Sequence, residues 1–417
     1  MDFIDNLVSN RLGGNIFFKE SKIFKFEKLK KIRDEIKIKN PNINVIDMGV
    51  GEPDQMADKS IIDILSIEAS KEENRFYADN GIEEFKIAAC SYLKDVYGLD
   101  NIKSYNIVHG IGSKSILSML PTCFINPNDI TLMTVPGYPI IANNTRFIGG
   151  EVYNLTLCKE NNFYPDLNSI PPDILKKAKL LYLNYPNNPT GQIATKEFYE
   201  QAIEFAKINN ILIVSDAAYG PLVYDDIKPL SIFSIDKDME YSVELHSLSK
   251  AFNMTGWRLA FLLGSEKSIK LFSTVKSYYD SGQFRAIQKA GIYALNHKEL
   301  IDINIKRYDR RFRLLVDALR EVGFKVNKPK GGFYCYVPIP IGLKNGLRFN
   351  NAEEASHYIL SNAFISTVPW DEAGHYLRFS VTFEANSIEE EVNIVNEVKS
   401  RLKALNFEFN GTVGSFV

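Results

Sequence analysis

The chain has 417 residues, and 49 Lys and Arg against 51 Asp and Glu give it a formal net charge of −2. Hydrophobic residues make up 45% and charged residues 24%, which is ordinary globular usage and excludes an intrinsically disordered chain. The balanced charge gives no electrostatic reason to bind nucleic acid or an anionic membrane, and the length allows two or three domains.

The N-terminal part of the chain suits a cytoplasmic protein without a signal peptide. Residues 1–14 contain two early acids and no apolar core segment, and no run approaches the ~20 apolar residues that cross a bilayer. Residues 22–39 are predicted to form a charged amphipathic helix. The four cysteines form no CxxC pair and the five histidines no HExxH motif, so neither a metal site nor a disulfide framework is expected.

From about residue 60 to residue 300, apolar runs of strand length alternate with helical patterns, which predicts an α/β domain. The predicted strands cover 105–109, 129–135, 151–157, 179–184, 211–215, 242–247 and 258–263. Several are almost entirely apolar, which is typical of strands buried on both faces of a largely parallel sheet. Helices are predicted over 113–124, 195–208 and 265–278.

The C-terminal part of the chain has a different pattern, which indicates a smaller α+β domain. A long helical pattern covers 303–322 and a strand starts within 331–334; a helix near 352–362, a strand at 376–382 and a helix near 387–404 follow. We therefore predict an N-terminal segment at 1–50 that joins the small domain, a large domain at 51–305 and a small domain at 306–417.

Two glycine-containing stretches resemble nucleotide-binding loops only in part. The stretch 49–54 reads GVGEPD and lacks the third glycine of a dinucleotide fingerprint, while 110–115 reads GIGSKS and lacks the Walker A spacing. Small residues before a helix that begins at Ser113 would still leave free backbone N–H groups for an anion.

Polar residues follow several predicted strands at the edge of the sheet where ligands of open parallel sheets bind. They are Asn188, Asp216, Tyr219, Ser247, Lys250 and Arg258. Taken alone, each has an ordinary explanation, such as a turn at Asn188, a helix cap at Asp216 or a surface charge at Lys250. Their order and their shared placement at strand ends favour one functional site.

The complete set resembles the fold-type-I pyridoxal-phosphate (PLP) aminotransferases of class I/II. The resemblance rests on NNPTG at 187–191, DAAY at 216–219, SLSKAFNMTGWR at 247–258 and Arg378 in LRFS, together with Tyr77, Gly81, 110–114 and Tyr138. It implies a large domain with a mostly parallel seven-stranded sheet plus a smaller α+β domain. It also implies PLP as cofactor and transfer of an amino group between an amino acid and 2-oxoglutarate.

The resemblance assigns roles around the cofactor. Lys250 would bind it covalently and later carry the substrate proton, and Asp216 would hold a proton on its ring nitrogen. Asn188 and Tyr219 would bind its phenolic oxygen, and Tyr138 would stack on its ring. Its phosphate would be bound by Ser113, Lys114, Ser247 and Arg258.

The same resemblance assigns the substrate contacts and an oligomeric state. Arg378 would bind the substrate α-carboxylate, with Gly51, Asn188 and Lys114 beside it. Tyr77 would reach the cofactor phosphate of a neighbouring subunit, so the active unit would be a homodimer with shared sites.

Lys114 after Ser113, FYPDL at 163–167 and PLSIF at 229–233 resemble the LL-diaminopimelate aminotransferases within the family. Two stretches, 75–81 and 369–372, depart from that group. We therefore predict LL-diaminopimelate transamination in lysine biosynthesis, with aspartate, alanine or aromatic amino acids as the rival substrates. A PLP-dependent carbon–sulfur β-lyase and a regulatory PLP-binding module are the alternatives of other classes.

Overall fold

The structure is a computed structural model that describes residues 3–20, 25–344 and 346–409. The strands are β1 (Ile46–Asp47), β2 (Ile107–Gly110), β3 (Ile130–Val135), β4 (Glu151–Thr156), β5 (Ala178–Asn184), β6 (Leu212–Asp216), β7 (Ser242–Ser247), β8 (Ala260–Gly264), β9 (Tyr334–Pro338), β10 (Gly342–Leu343), β11 (Ile365–Ser366), β12 (Val368–Trp370), β13 (Tyr376–Ser380) and β14 (Phe407–Glu408). The α-helices are α1 (Phe17–Glu20), α2 (Lys25–Lys39), α3 (Lys59–Ala69), α4 (Glu83–Tyr97), α5 (Gly112–Phe124), α6 (Ile140–Phe147), α7 (Pro172–Leu175), α8 (Lys196–Asn209), α9 (Leu248–Ala251), α10 (Glu266–Lys276), α11 (Arg285–Asn296), α12 (Glu299–Val322), α13 (Ala352–Ala363) and α14 (Ile388–Ala404). Short 3₁₀ helices cover Ile4–Leu7, Asn10–Leu12, Gly14–Ile16, Glu72–Arg75, Ser104–Asn106, Lys159–Asn161, Leu167–Ser169 and Ile232–Ser234.

A seven-stranded sheet forms the centre of the molecule, with the strand order β2-β8-β7-β6-β5-β3-β4. Neighbouring strands are parallel except for β8, which is antiparallel to both β7 and β2. The mostly parallel seven-stranded sheet expected from the sequence is therefore confirmed. The carboxyl ends of β5, β6 and β7 lie at one edge, and the reversed direction of β8 brings its first residues to the same edge.

The sheet is buried on both faces because its strands are apolar on both sides. Leu180 and Tyr182 of β5 pack with helices α5, α6 and α10, whereas Leu181 and Leu183 pack in the cluster on the opposite face. Side chains two residues apart along a strand share a face. Tyr182 and Asn184 therefore lie on the same side of β5, which matters for the site at its end.

A smaller antiparallel sheet, with the order β12-β13-β9, lies in the C-terminal part of the chain. Leu377 and Phe379 of β13 belong to the hydrophobic core with residues of α12 and α14. Arg378 alternates with them and is directly paired with Tyr336 of β9, so it faces away from that core. Near the N-terminus, β1 pairs with β11 in parallel. The domain limits given above stay predictions.

The predicted elements match the observed ones closely, with instructive exceptions. Arg258 was expected to open a strand, but it has a left-handed φ of 57° and β8 begins at Ala260. Asp216 was expected just after its strand and is instead the last residue of β6. For the helix predicted over 22–39, residues 22–24 lie outside the described residues and the helix covers Lys25–Lys39. Among the described residues, none of the helices combines the length and the hydropathy that a membrane span needs.

Candidate active site

A cavity of about 360 Å³ opens at the carboxyl edge of the central sheet. Its walls come from the ends of β5, β6 and β7, the first turn of α5, the 51–52 loop and the facing strands β9 and β13. The lining residues are Gly51, Glu52, Ser113, Lys114, Tyr138, Asn184, Asn188, Asp216, Ala218, Tyr219, Ser247, Ser249, Lys250, Arg258, Tyr334 and Arg378. The volume is at the lower end of the range for small-molecule sites.

The structure brings together every site residue predicted from the sequence except one. Tyr77 does not line the cavity, and 80% of it is exposed to solvent. This position is compatible with the expectation that Tyr77 acts in a neighbouring subunit, and that expectation stays a prediction.

Asp216 lies buried on the floor of the cavity. The Tyr182 hydroxyl donates a hydrogen bond of 2.8 Å to Asp216 Oδ2, and the Ala218 backbone N–H donates one of 3.1 Å to Oδ1. Burial raises the pKa of Asp216 to about 6, and these two hydrogen bonds oppose the rise. A cationic group placed against the carboxylate would lower the pKa again and keep the group ionised.

Lys250 follows β7 within the short helix α9, and its Nζ donates a 2.8 Å hydrogen bond to the Gly51 carbonyl. Burial lowers the pKa of Lys250 to about 8; the nearby Arg258 and Arg378 also lower it, and Glu52 opposes them. A lysine that is partly neutral near pH 8 can act as a nucleophile or a base, which an ordinary surface lysine does poorly.

Asn188 connects the large sheet with the smaller one. Arg378 Nη1 donates to Asn188 Oδ1 at 2.9 Å, and Arg378 Nη2 donates to the Gly49 carbonyl at 2.9 Å. The Asn188 loop is held by Asn184, whose Oδ1 accepts from the Asn188 N–H and whose Nδ2 donates to the Asp216 carbonyl. Because the amide oxygen of Asn188 is used by Arg378, its NH₂ group is left to donate to a ligand.

Two tyrosines meet beside Arg378. The hydroxyls of Tyr219 and Tyr334 are 3.2 Å apart, and the Arg378 guanidinium lies 4.0 Å from the centre of the Tyr334 ring. Burial raises the pKa of both phenols, so both stay protonated at neutral pH and can donate hydrogen bonds.

The N-terminus of α5 and Arg258 form a site for an anion. A Cβ placed on Gly112 would lie 2.4 Å from Arg258 Nη2, so the guanidinium packs directly on the glycine backbone. Gly112 also has a left-handed φ of 74°. The start of a 13-residue helix offers free N–H groups and a positive dipole end. Ser247, which caps α9 by accepting from the Ser249 N–H, lines the same cavity.

Tyr138 lies in the loop after β3 and is half-buried. Burial raises the pKa of its phenol, which also senses the charges of Asp216 and Arg258. Tyr138 also lines the cavity together with Asp216 and Arg258, so an aromatic ring is present there on which a flat ligand can pack.

The donor set fits a phosphorylated pyridine aldehyde. It provides an acid for a ring nitrogen, a partly neutral amine for an aldehyde, phenol and amide donors for a ring oxygen, and a helix start with a guanidinium for a phosphate. All of these groups surround one cavity of suitable size.

Sequence reasoning did not find Tyr182, Asn184, Glu52 or Tyr334. The alternation along β5 could have indicated that Tyr182 and Asn184 share a face and end beside Asp216. Glu52 was seen only as part of a failed glycine motif, and Tyr334 only as the start of a strand. Their roles depend on distances between segments that are far apart in sequence.

The loop that carries Tyr77 is held firmly although its tip is exposed. The Arg285 Nη2 donates to the Tyr77 carbonyl at 2.7 Å, and the buried Lys276 donates to the Asp79 carbonyl. Gln288 Oε1 accepts from the Ile82 N–H at 2.9 Å. Tyr77 is therefore presented to the outside from a fixed backbone.

Known proteins resemble this chain over most of its length. The family model for aminotransferase class I and II matches residues 43–397. The LL-diaminopimelate aminotransferase of Methanocaldococcus jannaschii is 53% identical over 416 residues, with 98% of this chain and 99% of the relative covered. That of Methanococcus maripaludis is 49% identical, with 98% and 99% covered. The substrate-bound BacF structure from Bacillus subtilis superposes with a TM-score of 0.86 at 30% identity, with 99% and 100% covered.

Proposed function

The chain belongs to the class I and II aminotransferase family, and we propose that it transfers an amino group from LL-diaminopimelate to 2-oxoglutarate. A PLP-dependent aminotransferase exchanges an amino group between an amino acid and a 2-oxo acid. The identity to the Methanocaldococcus enzyme over nearly the whole length of both chains is the observation that carries the choice of substrate. The reaction would serve lysine biosynthesis.

PLP, when bound, withdraws electrons from the α-carbon of the amino acid attached to it, so that this carbon can lose its proton. Asp216 holds a proton at the ring nitrogen by presenting a buried carboxylate to it. The Lys250 amine binds the cofactor and afterwards accepts and returns the α-proton. The Tyr219 hydroxyl and the Asn188 amide donate to the ring oxygen, and Arg378 binds the α-carboxylate.

The charges of the cavity support a substrate with a charged far end. LL-diaminopimelate carries an ammonium and a carboxylate at each end, and one end must lie outside the contacts of the reacting centre. Glu52 and Lys114 line the same cavity and offer one charge of each sign. Alanine or an aromatic amino acid has no charge at its far end and would gain nothing from the charge of either side chain.

The test is a panel of amino donors with 2-oxoglutarate. We expect the largest kcat/KM for LL-diaminopimelate, with smaller values for aspartate, alanine and phenylalanine, measured as glutamate formed. A larger value for aspartate or an aromatic amino acid would contradict the substrate. Pyruvate release from cystathionine without glutamate formation would favour the β-lyase. Borohydride reduction should fix the cofactor on Lys250, and Lys250→Ala should show no such adduct.

Replacement of Glu52 tests the far-end contact directly. Glu52→Gln keeps the shape and removes the charge, so kcat/KM for LL-diaminopimelate should fall by about tenfold to a hundredfold, as for a lost hydrogen bond to a charged group. The half-reaction with glutamate, which has no second ammonium, is the internal control and should lose far less, since there the substitution removes only the effect of the Glu52 charge on Lys250. An equal loss with both substrates would contradict the assigned contact.

A homodimer and a cytoplasmic location belong to the same proposal. The homodimer is supported by exposed aromatic residues around the firmly held Tyr77 loop, since large exposed apolar groups are typical of interaction surfaces. They are Phe76, Tyr77, Tyr278, Tyr279 and Phe284. Sedimentation equilibrium should give twice the 47.4 kDa chain mass, and a monomer at micromolar concentration would contradict the proposal. Cell fractionation tests the location.

A further inference from the structure

Tyr334 lies between the two groups that would bind the substrate carboxylate and the cofactor oxygen. It is the first residue of β9, and only 1% of it is exposed. Its hydroxyl is 3.2 Å from that of Tyr219, and the centre of its ring is 4.0 Å from the Arg378 guanidinium. A Cβ on Gly51 would lie 3.2 Å from the same hydroxyl, so the substrate-side loop also packs on this residue.

We propose that Tyr334 is a positioning residue that strengthens the hydrogen bond from Tyr219 to the cofactor and holds the guanidinium of Arg378 in place. The inference rests on the proposed function, because it takes the roles of Tyr219 and Arg378 from there.

The direction of the hydrogen bond follows from the number of donors. A phenol has one O–H to donate. If Tyr219 gives its proton to the cofactor oxygen, the 3.2 Å contact can be satisfied only when Tyr334 donates to Tyr219. A hydroxyl that accepts a hydrogen bond becomes a better donor, since hydrogen bonds in a chain polarise one another. Tyr334 therefore acts on the cofactor oxygen through Tyr219.

The aromatic ring of Tyr334 has a separate task. A guanidinium over an aromatic face is attracted to it, and the planar contact limits the orientations that the fork of donors can adopt. The ring and the hydroxyl can be separated experimentally, because phenylalanine keeps the first and removes the second.

Tyr334→Phe should change the protonation of the bound cofactor and leave the amino acid affinity unchanged. With the cofactor bound through Lys250, a weaker bond from Tyr219 would leave more negative charge on the ring oxygen, and the Lys250 nitrogen would hold its proton more tightly. The pKa of that nitrogen, read from the absorption spectrum of the holoenzyme against pH, should rise by roughly 0.3 unit for a cooperative effect of this size. The same substitution in a Tyr219→Phe background should add no further shift.

Tyr336→Phe is the matched control, since Tyr336 lies two residues along the same strand and no hydrogen bond to its hydroxyl is seen among the described residues. It should leave the spectroscopic pKa unchanged. Tyr334→Leu removes the ring as well and should raise the dissociation constant of the amino acid by about tenfold, the loss expected for a desolvated cation–π contact.

The outcomes separate this inference from the proposed function. If the holoenzyme has its normal colour, three results would each overturn the inference. They are an unchanged pKa in Tyr334→Phe, the same pKa shift from Tyr334→Phe when the Tyr219 hydroxyl is absent, and an equal pKa shift in Tyr336→Phe. An unchanged amino acid affinity in Tyr334→Leu overturns the role of the ring. A protein that takes up no PLP contradicts the proposed function itself and the inference with it.

Discussion

Asp216 is a buried acid whose charge the protein alone stabilises poorly. Its pKa is about 6 in the folded protein against 3.8 when exposed. The folded state thus binds this proton more tightly than the unfolded state, and the associated stability is present below pH 4 and is lost as the pH rises through 6. At pH 8 the buried charge costs roughly 3 kcal/mol, since each pKa unit corresponds to about 1.36 kcal/mol.

Asp216→Asn should therefore stabilise the cofactor-free protein at pH 8, by up to about 3 kcal/mol in urea unfolding, and have little effect at pH 4. The same variant should be a poor aminotransferase, because an amide does not hold the ring proton. Asp173→Asn, at an exposed position of α7, is the control and should change neither quantity. A destabilised Asp216→Asn protein at pH 8 would show that the carboxylate is well compensated.

Lys250 makes cofactor uptake dependent on pH. Only the neutral amine attacks an aldehyde, and with a pKa of about 8 half of it is neutral at that pH and nearly all of it above pH 9. The rate at which the cofactor-free protein forms the borohydride-reducible adduct should increase about fivefold from pH 7 to pH 8 and level off above pH 9. A rate that still rises tenfold per unit at pH 9 would mean that Lys250 has the pKa of an ordinary lysine.

Among single residues, the sequence predicted those that lie in distinctive motifs and missed those whose roles depend on contacts with distant parts of the chain. Asp216 ends β6 and Lys250 follows β7, both within recognisable segments, and both line the cavity. Tyr182 looks like any apolar strand residue, and only the register that pairs Asn184 with Asp216 brings its hydroxyl to the acid. Tyr334 depends on a contact between residues 115 positions apart.

The first turn of α5 is the element that binds the phosphate in our proposal, and Gly112 is its critical position. Gly112→Ala would force a Cβ to within 2.4 Å of Arg258 Nη2, so the guanidinium must move. The dissociation constant of PLP should increase by about tenfold to a hundredfold, the cost of losing a hydrogen bond to a charged group. Equilibrium dialysis or absorbance titration measures it.

Gly98→Ala provides a matched control for backbone strain. Gly98 has a φ of 73°, against 74° for Gly112, but no atom lies within 4 Å of its added Cβ. Both variants should lose about 1–2 kcal/mol of stability from the left-handed conformation. Only Gly112→Ala should lose cofactor affinity. An equal loss of affinity in both variants would show that backbone strain alone causes it.

Most elements were predictable because apolar strands and amphipathic helices have clear periods. The start of β8 was not, since Arg258 precedes apolar residues and looks like part of the strand. Its left-handed backbone instead turns the guanidinium towards α5. A local pattern does not contain that long-range requirement, which is typical of functional positions.

For the whole molecule, the proposed shared sites can be tested by mixing two inactive variants. In the proposed homodimer, Tyr77 of each subunit acts in the active site of the other. The Lys250→Ala subunit keeps a normal Tyr77, and the Tyr77→Ala subunit keeps a normal Lys250. A hybrid of the two has one complete site, so random mixing after unfolding and refolding should restore about a quarter of wild-type activity. In the control, Tyr105→Ala, a substitution at another exposed tyrosine, takes the place of Tyr77→Ala. This variant should be active alone. No recovery on mixing would place both residues in one subunit.

The large-scale architecture followed from strand and helix alternation, whereas the meeting of the two sheets did not. The contacts of Arg378 with Asn188 and Gly49 join positions separated by 190 and 329 residues. Only the resemblance placed Arg378 at the site in advance. Composition and periodicity contain no information about which face of the small sheet turns inward.

The guanidinium of Arg378 already has two neutral oxygen acceptors of the protein itself. A guanidinium carries five N–H donors, so it can bind an incoming acceptor and keep these two contacts, and an acceptor with a full negative charge gains the most. Amino acid amides, esters and the N-terminal residues of peptides carry a neutral carbonyl at this place. Such compounds gain less from the guanidinium than a free carboxylate does, so we expect the site to favour free amino acids over amides, esters and the N-terminal residues of peptides.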